Sequence, residues 1–209
     1  MLPRSFYLQP NVVSLARELL GKLLCTRIEG VKTAGIITET EAYAGITDKA
    51  SHAFGSRRTP RTEIMYSQGG IAYVYLCYGM HSLFNVVTNQ EGIPHAVLIR
   101  AIEPLEGVEI MKQRRKKAKI GKDFSNGPGK VAEALGIHYA YSGLDLTQIL
   151  PDSERPAIWI EDIEKMTPTD QILISKRIGV DYAGEDASLP YRFLLKKQGH
   201  EKKGVVSMF

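Results

Sequence analysis

Residues 70–87 read G-I-A-Y-V-Y-L-C-Y-G-M-H-S-L-F-N-V-V. In the first half of this stretch, residues 71–78, nearly every side chain is β-branched, aromatic or otherwise apolar, on both faces of the strand that the pattern predicts. Because neither face is polar, we expect a strand in the core. Residues 83–88 predict a second strand, and Gly79 supplies the backbone freedom that a tight reversal needs. The stretch therefore predicts a β-hairpin.

The tip of this hairpin has an unusual composition. Asn, Asp, Gly and Ser are the usual residues there, whereas Tyr78, Met80 and His81 flank the glycine. One interpretation is that the tip packs under a neighbouring loop, and the hairpin alone favours it. The other is an apolar wedge that enters DNA from the minor groove and holds a base step open.

The composition is that of an ordinary globular protein. The 209 residues are 44% hydrophobic and 24% charged, and the net charge is +4, which gives a mild bias toward anionic partners. We expect a single domain over residues 1–209. Cys25 and Cys77 share no motif spacing and are interpreted as reduced core residues. With neither a secretory leader nor an apolar run of membrane-spanning length, the sequence predicts a cytoplasmic protein without membrane contact.

A second unusual stretch, residues 36–43, reads I-I-T-E-T-E-A-Y. It ends the second of two predicted strands, 22–28 and 34–43. Strand alternation places Glu39 and Glu41 on the same face, about 6.6 Å apart. Such a pair suits acid–base chemistry because burial or mutual repulsion raises the pKa of one carboxyl. The strand alone favours the other interpretation, a solvated outer face.

Other segments give simpler predictions. Asn11 is a good N-cap for a helix that ends at Gly21. Pro104 is predicted to open a helix from Leu105 toward Arg115, and a short helix is expected to begin at Thr47 or Asp48. Strands are predicted at 95–102, 157–160, 171–174 and 191–195, and the last third of the chain is interpreted as scaffold.

Basic residues are concentrated in several places. Arg57, Arg58 and Arg61 surround Thr59-Pro60 in a predicted loop, where phosphate contact and simple solvation are both open. Residues 112–122 hold seven basic residues and no acidic one, either a solvated helix end or a phosphate contact. The Gly-rich stretch 126–130 precedes a predicted helix, whose N-terminus is suited to an anion.

Taken together and in order, several motifs resemble the alkyladenine (3-methyladenine) DNA glycosylase family over nearly the whole chain. They are E-T-E-A-Y, R-T-P-R, Y-V-Y-L-C-Y-G-M-H-S-L-F-N, L-I-R-A-I-E-P-L-E-G, N-G-P-G-K-V-A-E-A-L-G-I, R-I-G-V-D-Y-A-G and L-P-Y-R-F. The resemblance implies a monofunctional glycosylase of base-excision repair. Such an enzyme flips alkylated or deaminated purines (3-methyladenine, 7-methylguanine, hypoxanthine, ethenoadenine) from duplex DNA, hydrolyses the N-glycosidic bond and leaves an abasic site.

The resemblance also implies roles for individual residues. Glu41 matches the base that activates water, and Arg100 matches an arginine near that water and the backbone phosphate. The base-binding positions are Tyr43, His52, Tyr75 and Asn85, with Asn85 testing the purine 2-amino edge; Tyr78 with Met80 are the intercalating positions. Arg57, Arg58, Arg61 and Lys130 are expected at the DNA backbone. His81 departs from the tyrosine of mammalian members.

The fold class that follows is α+β: one domain with a curved, largely antiparallel sheet, surrounding helices and a protruding hairpin. We expect a monomer that acts on double-stranded DNA with damaged purines, associated with the nucleoid if the source is bacterial. No metal-ligand spacing and no cofactor loop is present in the sequence. Two alternatives stay open: a non-catalytic protein that kinks DNA with the same hairpin, and an RNA-directed enzyme of related fold.

Overall fold

A computed structural model describes residues 1–117, 119–121, 123–149, 155–163 and 171–196. Its described strands form one open antiparallel sheet with helices packed against it, which confirms the α+β fold class. The strands are β1 (Leu23–Ile28), β2 (Val31–Tyr43), β3 (Ala72–Cys77), β4 (His81–Thr88), β5 (His95–Glu106), β6 (Ala157–Glu161), β7 (Ile172–Ser175) and β8 (Arg192–Leu195). The α-helices are α1 (Arg4–Tyr7), α2 (Val12–Glu18), α3 (Val108–Arg115) and α4 (Pro128–Leu135). Short 3-10 helices lie at Gly45–Thr47, Phe54–Ser56, Glu63–Tyr66, Tyr139–Tyr141 and Asp181–Ser188.

The sheet is organised around β2, its longest strand. The strand order is β3-β4-β5-β2-β1-β6, and β8 pairs with both β2 and β7. One edge of β2 follows β5, whereas the other pairs first with β1 and then, at Glu39–Glu41, with β8. The β2–β5 register shifts between Ile37 and Thr40. The two glutamates therefore lie on a bulged, central part of the sheet.

The main core lies between the sheet and the helices α2 and α4. It includes Leu15, Phe84, Ile99 and Leu135, all fully buried. Asn11 caps α2 as predicted, because its Oδ1 accepts hydrogen bonds from the amides of residues 13 and 14 at 3.0 Å. The cap and the apolar helix face fix α2 against β2.

The hairpin forms as predicted, and its first strand, β3, is at the edge of the sheet. The apolar side chains at 72–74 are still buried because the segment 142–144 covers that edge. The amide of Ala72 donates to the carbonyl of Leu144 at 2.8 Å, and the amide of Gly143 donates to the carbonyl of Ala72 at 2.8 Å. An edge strand covered by a loop has the same apolar sequence as a central one.

Two helix predictions need correction. β5 continues through Pro104 to Glu106, and the helix begins only at Val108. Pro104 is opposite Gly35, next to a register shift, where a strand tolerates a missing amide donor. The helix expected after Thr47 is instead the single 3-10 turn Gly45–Thr47. No helix in the described ranges is long and apolar enough to cross a membrane.

A fully buried ion pair joins two distant loops beside the sheet. The Arg177 guanidinium donates to both carboxylate oxygens of Asp48, at 2.5 and 2.8 Å, and both side chains are excluded from solvent. Asp48 also accepts from the amides of Ala44 and Ala50, at 3.0 Å each. The pair thus holds residues 44–53 against residues 177–186.

We predict that Arg177→Met destabilises the protein by about 3–5 kcal/mol, because it leaves the Asp48 carboxylate buried and unpaired. Urea unfolding measures the change. Lys49→Met is the matched control, since Lys49 forms an exposed pair with Glu185 between the same two loops, and its loss should leave the unfolding midpoint unchanged. Equal midpoints for the two variants would contradict the role given to the buried pair.

Candidate active site

A cavity of about 230 Å³ opens between the hairpin, the centre of the sheet and the segment after β7. Six of the residues singled out from the sequence line it: Tyr43, His52, Tyr75, Tyr78, Asn85 and Arg100. The fold thus brings together side chains from β2, β3, β4, β5 and a loop. This convergence of aromatic and polar groups is typical of a ligand site.

Glu41 lies directly behind the wall of this cavity. Its side chain is fully buried, which rules out the solvated strand face that the sequence alone favoured. Oε1 accepts from the amide of Ile178 at 2.8 Å, and Oε2 accepts from the Tyr43 hydroxyl at 2.9 Å and from Nη1 of Arg100 at 3.3 Å. Three residues that line the cavity therefore hold the carboxylate.

The surroundings of Glu41 act on its pKa in opposite directions. Burial raises the pKa of the Glu41 carboxyl, and this effect exceeds the lowering by Arg100, by the Ile178 amide and by the Tyr43 hydroxyl. Burial also raises the pKa of Tyr43 well above its ordinary value, so this phenol stays protonated and remains a donor. The carboxyl is thus a stronger base than an exposed glutamate.

Glu39 is buried too, but it has different partners. Its Oε1 accepts from Nε of Arg100 at 3.0 Å and from Nε of Arg192 at 2.6 Å. Arg100 therefore bridges the two carboxylates, with one nitrogen on each. Two carboxylates and two guanidinium groups thus form one compact cluster with a formal charge of zero.

Aromatic side chains of β3 and of the loop that precedes it form another part of the cavity wall. The rings of His52 and Tyr75 meet edge to face with centroids 4.7 Å apart, and Nδ1 of His52 hydrogen-bonds the Tyr73 hydroxyl at 2.8 Å. Burial, with the nearby charges of Arg61 and Arg57, lowers the pKa of His52 to about 4. This imidazole is therefore neutral at physiological pH.

Asn85 lies on the floor of the cavity, almost fully buried on β4. Its amide nitrogen donates to the backbone carbonyls of Tyr73 and Leu83, at 3.2 and 3.3 Å. These two bonds fix the amide plane, because an amide nitrogen has two hydrogens to donate. The Asn85 side chain is thus a rigid part of the cavity surface.

The hairpin tip is exposed rather than covered by a loop, so the interpretation that the hairpin alone favoured is wrong. Tyr78 is 89% exposed and Met80 72%. The amide of Met80 donates to the carbonyl of Cys77 at 3.1 Å, and the two residues inside this turn, Tyr78 and Gly79, have φ of 51° and 68°. A tyrosine in the left-handed region is strained and gains no burial here, which points to a function for its side chain.

The predicted DNA-backbone residues lie outside the cavity. Arg57, Arg58 and Arg61 are exposed on one loop, with Arg58 stacked on the Tyr66 ring at 4.1 Å and Arg61 over the Tyr75 ring at 5.9 Å. Lys130, in the first turn of α4, pairs with Asp123 at 3.4 Å. These positions do not test a contact with DNA phosphates, which stays a prediction.

Sequence reasoning missed the contribution of the last third of the chain. The segment after β7 donates the Ile178 amide to Glu41 and lines the cavity with Gly179, Val180 and Tyr182, so its interpretation as scaffold is wrong. Cys77 also lines the cavity and is only partly buried, although both cysteines are free as expected. The sequence also has a basic tail with Lys196, Lys197, Lys202 and Lys203, of which all but Lys196 lie outside the described residues, as do two of the positions in 112–122.

Metal-ligating side chains do not cluster in the described ranges. Within them, no group of three or more His, Cys, Asp or Glu side chains could hold a metal ion. The chemistry that the described residues offer is that of a buried base, two arginines and an aromatic cavity.

Comparison with known proteins identifies relatives of this chain. The sequence pattern of a family described as methylpurine-DNA glycosylase matches residues 5–199. A protein of Chlamydia felis is 51% identical over 203 residues, which cover 97% of this chain and 100% of that protein. One of Desulfitobacterium hafniense is 46% identical over 202 residues, 93% of this chain and 95% of that protein. Both carry the provisional name 3-methyladenine DNA glycosylase.

We predict that the His52 ring stays neutral until the pH falls to about 4, because burial and two arginines disfavour its protonated form. A titration followed by ¹H–¹⁵N NMR of the imidazole gives the midpoint directly. Since the unfolded chain protonates this group nearer pH 6.5, the folded state should lose stability as the pH falls from about 6.5 toward 4. A midpoint at 6.5 or above would contradict the buried, neutral ring.

Proposed function

The chain belongs to the methylpurine-DNA glycosylase family, and we propose that it is a monofunctional DNA glycosylase of base-excision repair. It flips a damaged purine from duplex DNA into the cavity, hydrolyses the N-glycosidic bond with a water activated by Glu41, and leaves an abasic site. The observation that carries this proposal is the buried Glu41 carboxylate behind an aromatic cavity, at the base of a hairpin with an exposed tyrosine.

The carboxylate has capacity left for a water molecule. Oε1 accepts one hydrogen bond, from the Ile178 amide, and a carboxylate oxygen can accept two. Because the Glu41 side chain is closed to solvent in the free protein, this proposal requires a small movement of the segment at Ile178 that admits a water from the cavity. That water donates to Oε1 and attacks the anomeric carbon of the flipped nucleotide. The anionic carboxylate also stabilises the positive charge that develops on the sugar.

The aromatic walls favour a positively charged base. A 3-methyl or 7-methyl purine is cationic, and the rings of Tyr43 and Tyr75 attract such a base more strongly than an undamaged one. A cationic base also leaves without being protonated. His52 is a neutral imidazole at pH 7, and its remaining N–H is too weak an acid to protonate a neutral leaving base. We therefore propose that cationic methylpurines react faster than hypoxanthine or ethenoadenine.

The exposed tip and the cavity together account for base flipping. Tyr78 both lines the cavity and extends into solvent, so its ring can fill the space that an extruded nucleotide leaves, with Met80 beside it. Asn85 then tests the 2-amino edge of the purine. Arg57, Arg58, Arg61 and Lys130 contact the DNA backbone in this proposal.

We predict that Glu41→Gln abolishes base release, lowering its rate at least 100-fold, because an amide cannot accept the proton of the attacking water. The fold should persist, since the glutamine carbonyl can accept from the Ile178 amide while its NH2 group donates to the oxygen of the Tyr43 hydroxyl, which rotates to accept. The measurement is the release of free 3-methyladenine from a methylated duplex with chelator present. Glu103→Gln, an exposed glutamate on β5, is the control with unchanged rate.

Duplex binding by the Glu41→Gln variant is measured in parallel by fluorescence anisotropy and should match that of the wild type. Release at the wild-type rate would remove the general-base role. Tight binding without release by the wild type itself would leave a protein that binds and kinks DNA.

A second prediction concerns the strained tip. Tyr78→Asn should raise the free energy of unfolding by about 1 kcal/mol, because asparagine tolerates a left-handed backbone, yet it should lower base release at least 10-fold because the ring is lost. Thermal unfolding and single-turnover release measure the two effects. Tyr139→Asn, at another exposed tyrosine away from the cavity, should change neither rate nor binding. Unchanged release by Tyr78→Asn would show that the ring has no part in base extraction.

A further inference from the structure

The structure assigns Glu39 and Arg192 a role as a matched pair of positioning residues that set the basicity of Glu41 through Arg100. This inference rests on the proposed function, since it concerns the same carboxylate. Neither Glu39 nor Arg192 lines the cavity or hydrogen-bonds the carboxylate of Glu41, so both act on it indirectly.

Arg100 forms an ion pair with both Glu39 and Glu41. Its Nε is bound to Glu39 at 3.0 Å and its Nη1 to Glu41 at the longer distance of 3.3 Å. The side chain is held closer to the carboxylate that does not take part in the reaction. Any change in the charge of Glu39 must therefore change how strongly Arg100 stabilises the anionic form of Glu41.

Arg192 pairs with the negative charge of Glu39. Its Nε binds the same Oε1 atom of Glu39 that Arg100 binds, at 2.6 Å, and its backbone is opposite Glu41 in the β2–β8 ladder. With Arg192 present, the negative charge of Glu39 is shared between two guanidinium groups. Without it, Glu39 would attract Arg100 alone and repel the anionic Glu41 more strongly.

Burial makes these effects large enough to measure. Glu39 is 4% exposed, and the side chains of Arg100 and Arg192 are 11% and 20% exposed. Charges in such surroundings are screened far less than surface charges. The other charged or titratable groups around Glu41 are Tyr43 on β2, Tyr75 on β3, and Arg177 and Tyr182 after β7, and none of them contacts Glu39 or Arg192 in the described hydrogen bonds.

The two substitutions should act in opposite directions. Glu39→Gln removes a like charge near Glu41 and frees Arg100, so Glu41 should ionise at lower pH. Arg192→Gln leaves Arg100 to pair with both carboxylates and gives the cluster a net negative charge, so Glu41 should ionise at higher pH. In the double variant the cluster has zero formal charge again. The pH at which Glu41 ionises should therefore return close to that of the wild type.

The experiment follows the second-order rate constant for release of 7-methylguanine from a methylated duplex between pH 4 and 8. This base is already cationic, so its departure needs no acid and the acid limb of the profile reports the base in the free enzyme. We expect the limb to move down by about one pH unit in Glu39→Gln and up by about one unit in Arg192→Gln. Arg192→Lys, which keeps the charge, should leave it near the wild-type position.

A control separates this effect from general loss of stability. Asp145→Asn disrupts a partly buried ion pair with Arg4, remote from the cavity, and should lower the melting temperature without moving the acid limb. Shifts of both single variants in the same direction, or no shift in either, would overturn the inference. Should one single variant fail to fold, the other decides, since each has its own predicted direction.

The two proposals fail in different ways. If the wild type releases no methylated base, the proposed glycosylase function is wrong and no acid limb exists to compare. If the wild type releases base and the limb keeps its position in the variants, the function stands and the role given to Glu39 and Arg192 is wrong.

Discussion

The whole site depends on keeping one carboxylate buried without neutralising it. Burial favours the protonated form of Glu41, and the Arg100 guanidinium, the Ile178 amide and the Tyr43 hydroxyl oppose that tendency. These donors come from three separate parts of the chain. The fold can therefore be understood as the means of bringing three donors to one carboxylate beside a cavity.

Several local features of the fold help to meet this constraint. Glu39 and Glu41 lie on the bulged, central part of β2, and β8 pairs with β2 at that point so that Arg192 can reach Glu39. The buried pair of Asp48 with Arg177 fixes the segment that carries the Ile178 amide. Stability and chemistry are thus coupled, because loosening that segment would expose the carboxylate.

The local features of this site were predictable from sequence and the long-range ones were not. Alternation placed Glu39 and Glu41 on one face, and the apolar tip of 78–80 marked the hairpin as unusual, because both signals lie within a few residues. The amide of Ile178 carries no side-chain signal at all. Its contact with Glu41 joins positions 137 apart in the chain, a relation that no local pattern encodes.

The errors have the same physical origin. The apolar residues of the tip cannot by themselves distinguish an exposed tip from one covered by a loop that is distant in sequence, and Tyr78 and Met80 are in fact exposed. Pro104 predicts the start of a helix because proline suits that position, yet a register shift next to its partner Gly35 lets the strand continue through it. Tertiary context decided each case.

Burial raises the pKa of the Glu41 carboxyl although Arg100, the Ile178 amide and the Tyr43 hydroxyl all act to lower it. The most direct test is a ¹³C NMR titration of the side-chain carboxyl groups in protein labelled at glutamate, with the Glu41 signal assigned by its loss in the Glu41→Gln variant. We expect a midpoint above the ordinary glutamate value of 4.5, because burial raises the pKa of this carboxyl. A midpoint at or below 4.5 would contradict the effect given to burial.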